Sequence, residues 1–269
     1  MREDLQIHRV RHPLRLRLAQ VVAIHPRGEH RVRVTFRGPE LIGFDSPGFD
    51  DHVKVFFPAP GETLPRLPSL DADGQPLRVA GAERPIARDY TPRRFNAERG
   101  ELEIEFVLHG AGPATRWAAQ ARIGQTLGFG GPRGSMLIPP HFDWHWLIGD
   151  SSAMPAISRR LEDLPAQARV DVVLMVEPPV KPLVLPSVAQ VTQHWLAGVD
   201  HATDDSPLQQ LLRRLPLPPG EGFIWVAGEL ATVRATRQTL LARGIDKQRI
   251  RASSYWQHGT EASHETLSD

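Results

Sequence analysis

Glu101-Leu102-Glu103-Ile104-Glu105-Phe106 sets three glutamates against three apolar residues in strict alternation, whereas Trp144-His145-Trp146-Leu147-Ile148 reads as an almost unbroken apolar run. The contrast between these two stretches decides the fold. Period-two patterning with one wet face belongs to an antiparallel strand whose other face meets a core. A continuous apolar run belongs to a strand buried on both faces, as in a parallel sheet covered by helices. Outward from the first stretch, the alternation recurs. Leu14, Leu16 and Leu18 are interleaved with Arg15 and Arg17, and Val32 and Val34 with Arg31 and Arg33. Residues 53–57, 77–80 and 88–93 add short strand candidates, and Pro26-Arg27-Gly28, Asp73-Gly74 and Arg99-Gly100 supply turns. Six or so short antiparallel strands in the first half of the chain predict a small closed barrel.

Outward from the second stretch, residues 170–176 and 223–227 repeat the buried-strand pattern. Helical patterns cover 152–164, 207–215 and 231–243. Strands alternating with helices predict a parallel sheet. The expected junction lies near Pro139-Pro140-His141, dividing the chain into domains at 1–140 and 141–269. No internal repeat or low-complexity tract interrupts either half.

The 269 residues, 41% of them hydrophobic, suffice for two ordinary domains with real cores. A formal net charge of +1 gives no reason to expect nucleic acid or an acidic membrane as partner. Cysteine is absent, which excludes disulfides, thiolate nucleophiles, iron–sulfur clusters and cysteine zinc sites in this chain. Redox chemistry would therefore need a bound organic cofactor or a borrowed metal. Met1-Arg2-Glu3-Asp4-Leu5-Gln6 lacks the apolar core of a signal peptide, and no stretch approaches the ~20 apolar residues of a membrane span. The expected location is the cytoplasm.

Arg88-Asp89-Tyr90-Thr91-Pro92-Arg93 brings together a ring, a hydroxyl and guanidinium groups able to clamp phosphate bidentately. On one strand Arg88, Tyr90 and Pro92 would project to the same side. The set suits a flavin, which needs a flat partner for its ring and cations for its pyrophosphate; the competing reading is a surface strand with solvated arginines. His109-Gly110-Ala111-Gly112-Pro113-Ala114-Thr115 follows a strand. Its glycines permit close backbone approach. Thr115 would begin a helix over 115–121, whose free N–H groups suit a pyrophosphate. The competing reading is an ordinary strand–turn–helix connection.

Gly149-Asp150-Ser151-Ser152 and Ala227-Gly228-Glu229 each end a buried strand and open a helix, the place where open α/β sheets bind ligands. Gly149-Asp150-Ser151 could suggest a hydrolase serine, but Ser151 reads better as a helix cap. Arg234 and Arg237 follow on the second helix, where an arginine can receive a 2′-phosphate and favour NADPH over NADH; solvated helix surface is the alternative. Gly128-Phe129-Gly130-Gly131-Pro132-Arg133-Gly134 fails the G-x-G-x-x-G spacing and no helix follows it, so it reads as a strand with a turn. His141 and His145 have metal-like spacing, but prolines precede them and a strand carries the second.

The segments RDYTPR (88–93), FVLHGAGPATRWA (106–118), GDSSAMPAISRRLEDLP (149–165), WVAGELATVRATRQTLLARG (225–244) and YWQHG (255–259), in this order, resemble the siderophore-interacting protein family of the ferredoxin-reductase-like superfamily. The resemblance runs from about Asp51 to Gly259. It implies an N-terminal antiparallel six-stranded FAD-binding β-barrel followed by a C-terminal parallel α/β nucleotide-binding sheet. It implies FAD held by Arg88, Tyr90, Thr91 and Arg93, with His109, Gly110, Gly112, Ala114 and Thr115 around the ribityl and pyrophosphate. The family's small hydroxyl residue falls at Ala114 or Thr115. NADPH (or NADH) would lie near Asp150, Gly228, Glu229 and Arg234, and Trp256 would border the flavin or nicotinamide.

A ferric siderophore would dock at Lys54, in DDHVKVFFP (50–58), and at Arg133, with Arg249 and Arg251 more distant candidates. Gln257 stands where the family often has arginine or lysine. The implied activity is NAD(P)H-dependent reduction of FAD and then of chelated Fe(III), releasing iron, with no catalytic acid or base required. A general flavin or quinone reductase, a ferredoxin-fed siderophore reductase and a non-enzymatic siderophore-binding module remain alternatives.

Overall fold

The structure is a computed structural model that describes residues 3–72, 74–77, 83–108, 112–178, 183–198, 201–259 and 265–266. It divides into two compact units, one over Ile7–Leu137 and the other from Ile138 onward together with the segment before Ile7.

The first unit contains β1 (His8–Arg11), β2 (Leu16–Pro26), β3 (Arg31–Arg37), β4 (Val53–Phe57), β5 (Ile86–Tyr90), β6 (Pro92–Asn96), β7 (Glu101–Val107), α1 (Pro113–Ala119), β8 (Thr126–Gly130) and β9 (Gly134–Leu137). Seven strands form one antiparallel sheet in the order β5-β4-β8-β2-β3-β7-β6. Its two edge strands, β5 and β6, are consecutive in sequence and joined by the single residue Thr91, so the sheet curls round. The expected count of six strands is corrected to seven. Among the described residues no ladder joins β5 to β6, so the sheet is curled and not hydrogen-bonded shut. The segment expected as one strand over 88–93 is two strands meeting at a corner. Leu77 lies outside any strand, and 78–80 fall outside the described residues.

The alternation of β7 does what period two predicts. Leu102, Ile104 and Phe106 are fully buried. The glutamates on its other face meet arginines of β3, with Arg31 against Glu105, Arg33 against Glu103 and Glu105, and Arg37 against Glu101. Helix α1 sends Ala114, Trp117 and Ala118 into the same core. The Trp117 ring lies 5.9 Å from Phe57 and 5.6 Å from Phe106. Burying an aromatic side chain of this size stabilises by about 2–3 kcal/mol.

The second unit contains β10 (Trp144–Asp150), α2 (Met154–Asp163), β11 (Arg169–Val176), β12 (Gln190–Ala197), α3 (Pro207–Arg214), β13 (Gly222–Glu229), α4 (Leu230–Ala242), β14 (Ile250–Trp256) and β15 (Glu265–Thr266). The sheet order is β12-β11-β10-β13-β14-β15, parallel except for β15. Trp146, Ile148, Val173, Ile224 and Val226 pack with Leu208 and Leu212 of α3 and Val233 and Leu240 of α4. The chain runs β10, β11, β12 to one side and then resumes with β13 and β14 on the other. The reversal lies between β10 and β13, so the crevice beyond their carboxyl ends is the topological switch point where such sheets bind ligands.

Candidate functional site

At the corner between β5 and β6, Arg88 and Tyr90 are half-buried while Thr91 and Arg93 are each only 6% exposed. The Tyr90 ring packs 4.6 Å from Phe106, and burial pushes its phenol above the usual range, so the hydroxyl stays a neutral donor. Arg88 donates to the Ala87 carbonyl at 2.8 Å. Pro92 lies opposite Ile104 and Arg94 opposite Glu103, so Arg93 is the extra residue of a β-bulge. Bulges re-aim a side chain, and here one turns an arginine inward beside the corner.

Helix α1 begins at Pro113, two residues before the expected start, with Gly112 as an extended N-cap that no side chain caps. A Cβ added at Gly112 would meet nothing within 4 Å. Ala114 faces the core while Thr115 is half-buried, so of the pair only Thr115 offers a hydroxyl. His109 and Gly110 lie outside the described residues. Two arginines, a tyrosine and two threonines, beside a helix whose N-cap Gly112 receives no side-chain cap, fit a flat, phosphate-bearing cofactor such as FAD.

Lys54 on β4 stands opposite Asp89 on β5, with Nζ 2.9 Å from Oδ1, and also opposite Gly130 on β8. Arg133, exposed on the turn after β8, donates to the Gln75 side-chain oxygen. Sequence patterning missed Arg17. Its alternation with Leu16 and Leu18 assigns it to a wet face, yet it is 6% exposed and donates to the Gly131 carbonyl at 3.1 Å and the Arg15 carbonyl at 3.3 Å. In the second unit, Arg249 pairs with Glu221 and lies over the Phe142 ring, and Arg251 is half-buried on β14.

The switch point is built round Asp150, the last residue of β10, 2% exposed. Its Oδ1 accepts the Ser152 N–H at 2.8 Å and the Ser152 hydroxyl. Its Oδ2 accepts the Glu229 N–H at 3.1 Å and Trp256 Nε1 at 2.8 Å. Burial pushes the carboxyl up, and these donors oppose the push. The expected Ser151 cap is corrected: α2 starts at Met154 with Ala153 as N-cap, and the Ser152 N–H is taken by Asp150. Gly228 has φ +148°, and a Cβ there would sit 2.5 Å from Asp150 Oδ2. Glu229 caps α4 by accepting the Thr232 N–H at 3.0 Å. The fold thus brings Asp150, Gly228, Glu229 and Trp256 together, while Arg234 is exposed on α4.

His145 is fully buried, and burial and Arg160 push its imidazole down to about 3. Among the described residues no three His, Asp or Glu side chains are placed to hold a metal, and no helix is long and apolar enough to cross a membrane.

Residues 20–136 match the siderophore-interacting FAD-binding domain, and residues 142–259 match the siderophore-interacting protein model. The chain belongs to the siderophore-interacting protein family. Within this family, it is 36% identical over 256 residues to the NADPH-dependent ferric-chelate reductase of Escherichia coli (strain K12), covering 92% of this chain and 95% of the relative. It is 37% identical over 241 residues to the ferric vibriobactin reductase ViuB of Vibrio cholerae serotype O1, covering 87% of each. Among solved structures, a siderophore utilization protein from T. fusca superposes with a TM-score of 0.86 at 34% identity, over 96% of this chain and 98% of that one. In this siderophore-interacting protein the FAD-binding match contains Lys54, the Arg88–Arg93 corner, Thr115 and Arg133, and the second match contains Asp150, Gly228, Glu229, Arg234 and Trp256.

Proposed function

We propose that this chain is a ferric-siderophore reductase, passing electrons from reduced nicotinamide, NADPH in preference to NADH, through bound FAD to chelated iron(III). The observation that carries the reading is the similarity along both units to an NADPH-dependent ferric-chelate reductase. FAD, when bound, supplies the conversion of a two-electron hydride donor into single-electron steps.

The chain's own part is to hold and to attract. Arg88 and Arg93 neutralise the pyrophosphate, Tyr90 and Thr91 contact the ring system, and Gly112 and Thr115, with His109 and Gly110, flank the ribityl chain. Residues 1–140 make the FAD domain and 141–269 the nicotinamide domain. At the switch point Glu229 and Gly228 shape the backbone, Trp256 borders the ligand, and Arg234 meets the 2′-phosphate. Asp150 acts through Trp256 and Glu229, since its lone pairs are taken by the chain. Arg133 and Lys54 draw an anionic ferric chelate by charge, Lys54 sharing its ammonium with Asp89. Iron(II), less charged, is held more weakly by hard oxygen donors and leaves. The working compartment is the cytoplasm.

The test is an anaerobic absorbance titration of the purified holoprotein, first with NADPH and then with a ferric siderophore. Bleaching of a flavin spectrum by NADPH and its return on adding ferric chelate is the expected result. A flavin that NADPH leaves oxidised would move the donor role to ferredoxin. A protein with no affinity for FAD would end the reading.

A further inference from the structure

β12 ends the second unit's sheet on one side, and among the described residues no strand pairs with its outer edge. The Gln190 N–H donates to the Ala168 carbonyl at 2.9 Å, and the Gly198 N–H donates to the Val176 carbonyl at 2.9 Å. Even-numbered residues of the strand therefore direct their backbone groups at β11. In a parallel ladder the intervening residues point theirs the other way. Val191, Gln193, Trp195 and Ala197 thus turn both N–H and C=O outward. A row of free donors and acceptors is a template for another strand.

Edges that stay single are guarded by charge, proline or a bulge. β5 and β6 carry such guards in Arg88, Asp89, Arg93, Arg94, Pro92 and the bulge. β12 has none of them. It pairs with β11 over eight residues without a register shift. Residues 182–199 contain no Asp, Glu, Lys or Arg, in a chain where 23% of residues are charged. Just ahead of the strand Val184 and Val188 are 83% and 72% exposed, and Trp195 within it is half-buried. The absence of charge points to the occupant. A two-fold axis sets a strand against its own copy, where like charges repel; this strand meets its copy without repulsion. A net charge of +1 adds little long-range repulsion between copies. A foreign acidic or basic strand would find no countercharge here.

We propose that two copies of this chain pair through β12, antiparallel across a two-fold axis at His194, so that their sheets become one. The register follows from the outward groups. Val191 exchanges hydrogen bonds with Ala197 of the second copy, and Gln193 with Trp195. Centring on His194 is the register that uses all four outward residues on both strands. His194 then faces His194 in a non-hydrogen-bonded pair, and Thr192 faces Leu196. The proposal goes beyond the reductase reading and does not depend on it.

The test uses the FAD-loaded protein and exploits the absence of cysteine from the chain. At the axis, opposed Cα atoms of a non-hydrogen-bonded antiparallel pair lie about 4.5 Å apart, within reach of a disulfide. Thr192, exposed on the same face, would lie about 14 Å from its own copy. His194→Cys should therefore form an intermolecular disulfide under mild oxidation at least about tenfold faster than Thr192→Cys. Sedimentation equilibrium of the native protein should show a reversible doubling of mass as concentration rises. Gln193→Pro removes an outward N–H and no bond to β11. It should keep its circular dichroism spectrum and stay monomeric where the native protein dimerises. Native protein that stays monomeric at about 100 μM overturns the proposal, as do equal crosslinking rates for the two cysteine variants. So does a folded Gln193→Pro variant that dimerises as the native protein does. The cysteine comparison decides independently of how the proline variant folds.

Discussion

Replacing Asp150 by asparagine separates a residue that holds the switch point together from one that touches the nucleotide. The carboxylate accepts from Ser152, Glu229 and Trp256 in a site 2% exposed. Asparagine keeps one acceptor oxygen and sets an NH2 group against the donors on the other side. If it keeps the Ser152 bonds, the Glu229 N–H and Trp256 Nε1 both lose their acceptor. An orphaned buried donor costs about 1–3 kcal/mol, so the pair comes to roughly 3 kcal/mol. For a unit of this size each kcal/mol moves the melting temperature by about 2–4 °C, giving a drop of roughly 6–12 °C. The assay is calorimetry of the FAD-loaded protein without nucleotide, followed by NADPH KM. KM should rise as well, because Trp256 loses its anchor. A residue that serves the ligand directly behaves in the opposite way, since removing it leaves the nucleotide-free protein as stable or more so. An asparagine variant that melts within about 1 °C of the native protein while its NADPH KM rises would refute the keystone argument.

Gly228→Ala should lower stability by about 2–3 kcal/mol, because a Cβ would meet Asp150 Oδ2 at 2.5 Å on a backbone with positive φ; urea unfolding midpoints measure it. Arg93→Ala should raise the Kd for FAD at least about tenfold through loss of a charge-assisted phosphate contact, read by flavin fluorescence on dilution. The His145 imidazole, held at about 3 against ~6.5 in an unfolded chain, contributes stability that is full above pH ~6.5 and lost as pH falls toward 3. By pH ~3.5 the loss is on the order of 4 kcal/mol. His145→Phe should flatten that limb of a stability–pH curve, and an unchanged slope would contradict the assignment.

The sequence was most legible where a pattern is local. β7 could be read from its alternation because both of its faces are decided within the strand itself: three apolar residues in the core and three glutamates against β3. β12 and β14 escaped notice for the converse reason. Gln190–Ala197 and Ile250–Trp256 are rich in polar and small residues, and their strand character comes from pairing with β11 and β13. β8 was legible despite its glycines, because the failed dinucleotide spacing left a strand and a turn; Gly128 is there because Phe56 and Leu67 occupy the space a side chain would need.

The candidate site followed the same rule. Residue types at the Arg88–Arg93 corner were readable, but the bulge that turns Arg93 inward depends on register against β7. The bonds to Asp150 were invisible in advance, since one of its donors lies 106 positions away at Trp256. Arg17 was assigned to solvent by alternation. Its burial depends on carbonyls at Arg15 and Gly131 and on the Phe44 ring 5.4 Å from its guanidinium.

The crowding around Asp150 also bears on how this protein can drift over generations. A Cβ at Gly149 would approach Ala153 Cβ to 2.4 Å and the Ala227 carbonyl to 2.8 Å, and one at Gly228 would strike Asp150. A larger residue at 228 is admissible only after position 150 shrinks, and a smaller residue at 150 strands the indole of Trp256. Positions 150, 228 and 256 therefore constrain one another, and descendants of this chain should keep these three together or exchange them as a set, while Gly149 is constrained separately by Ala153 and Ala227.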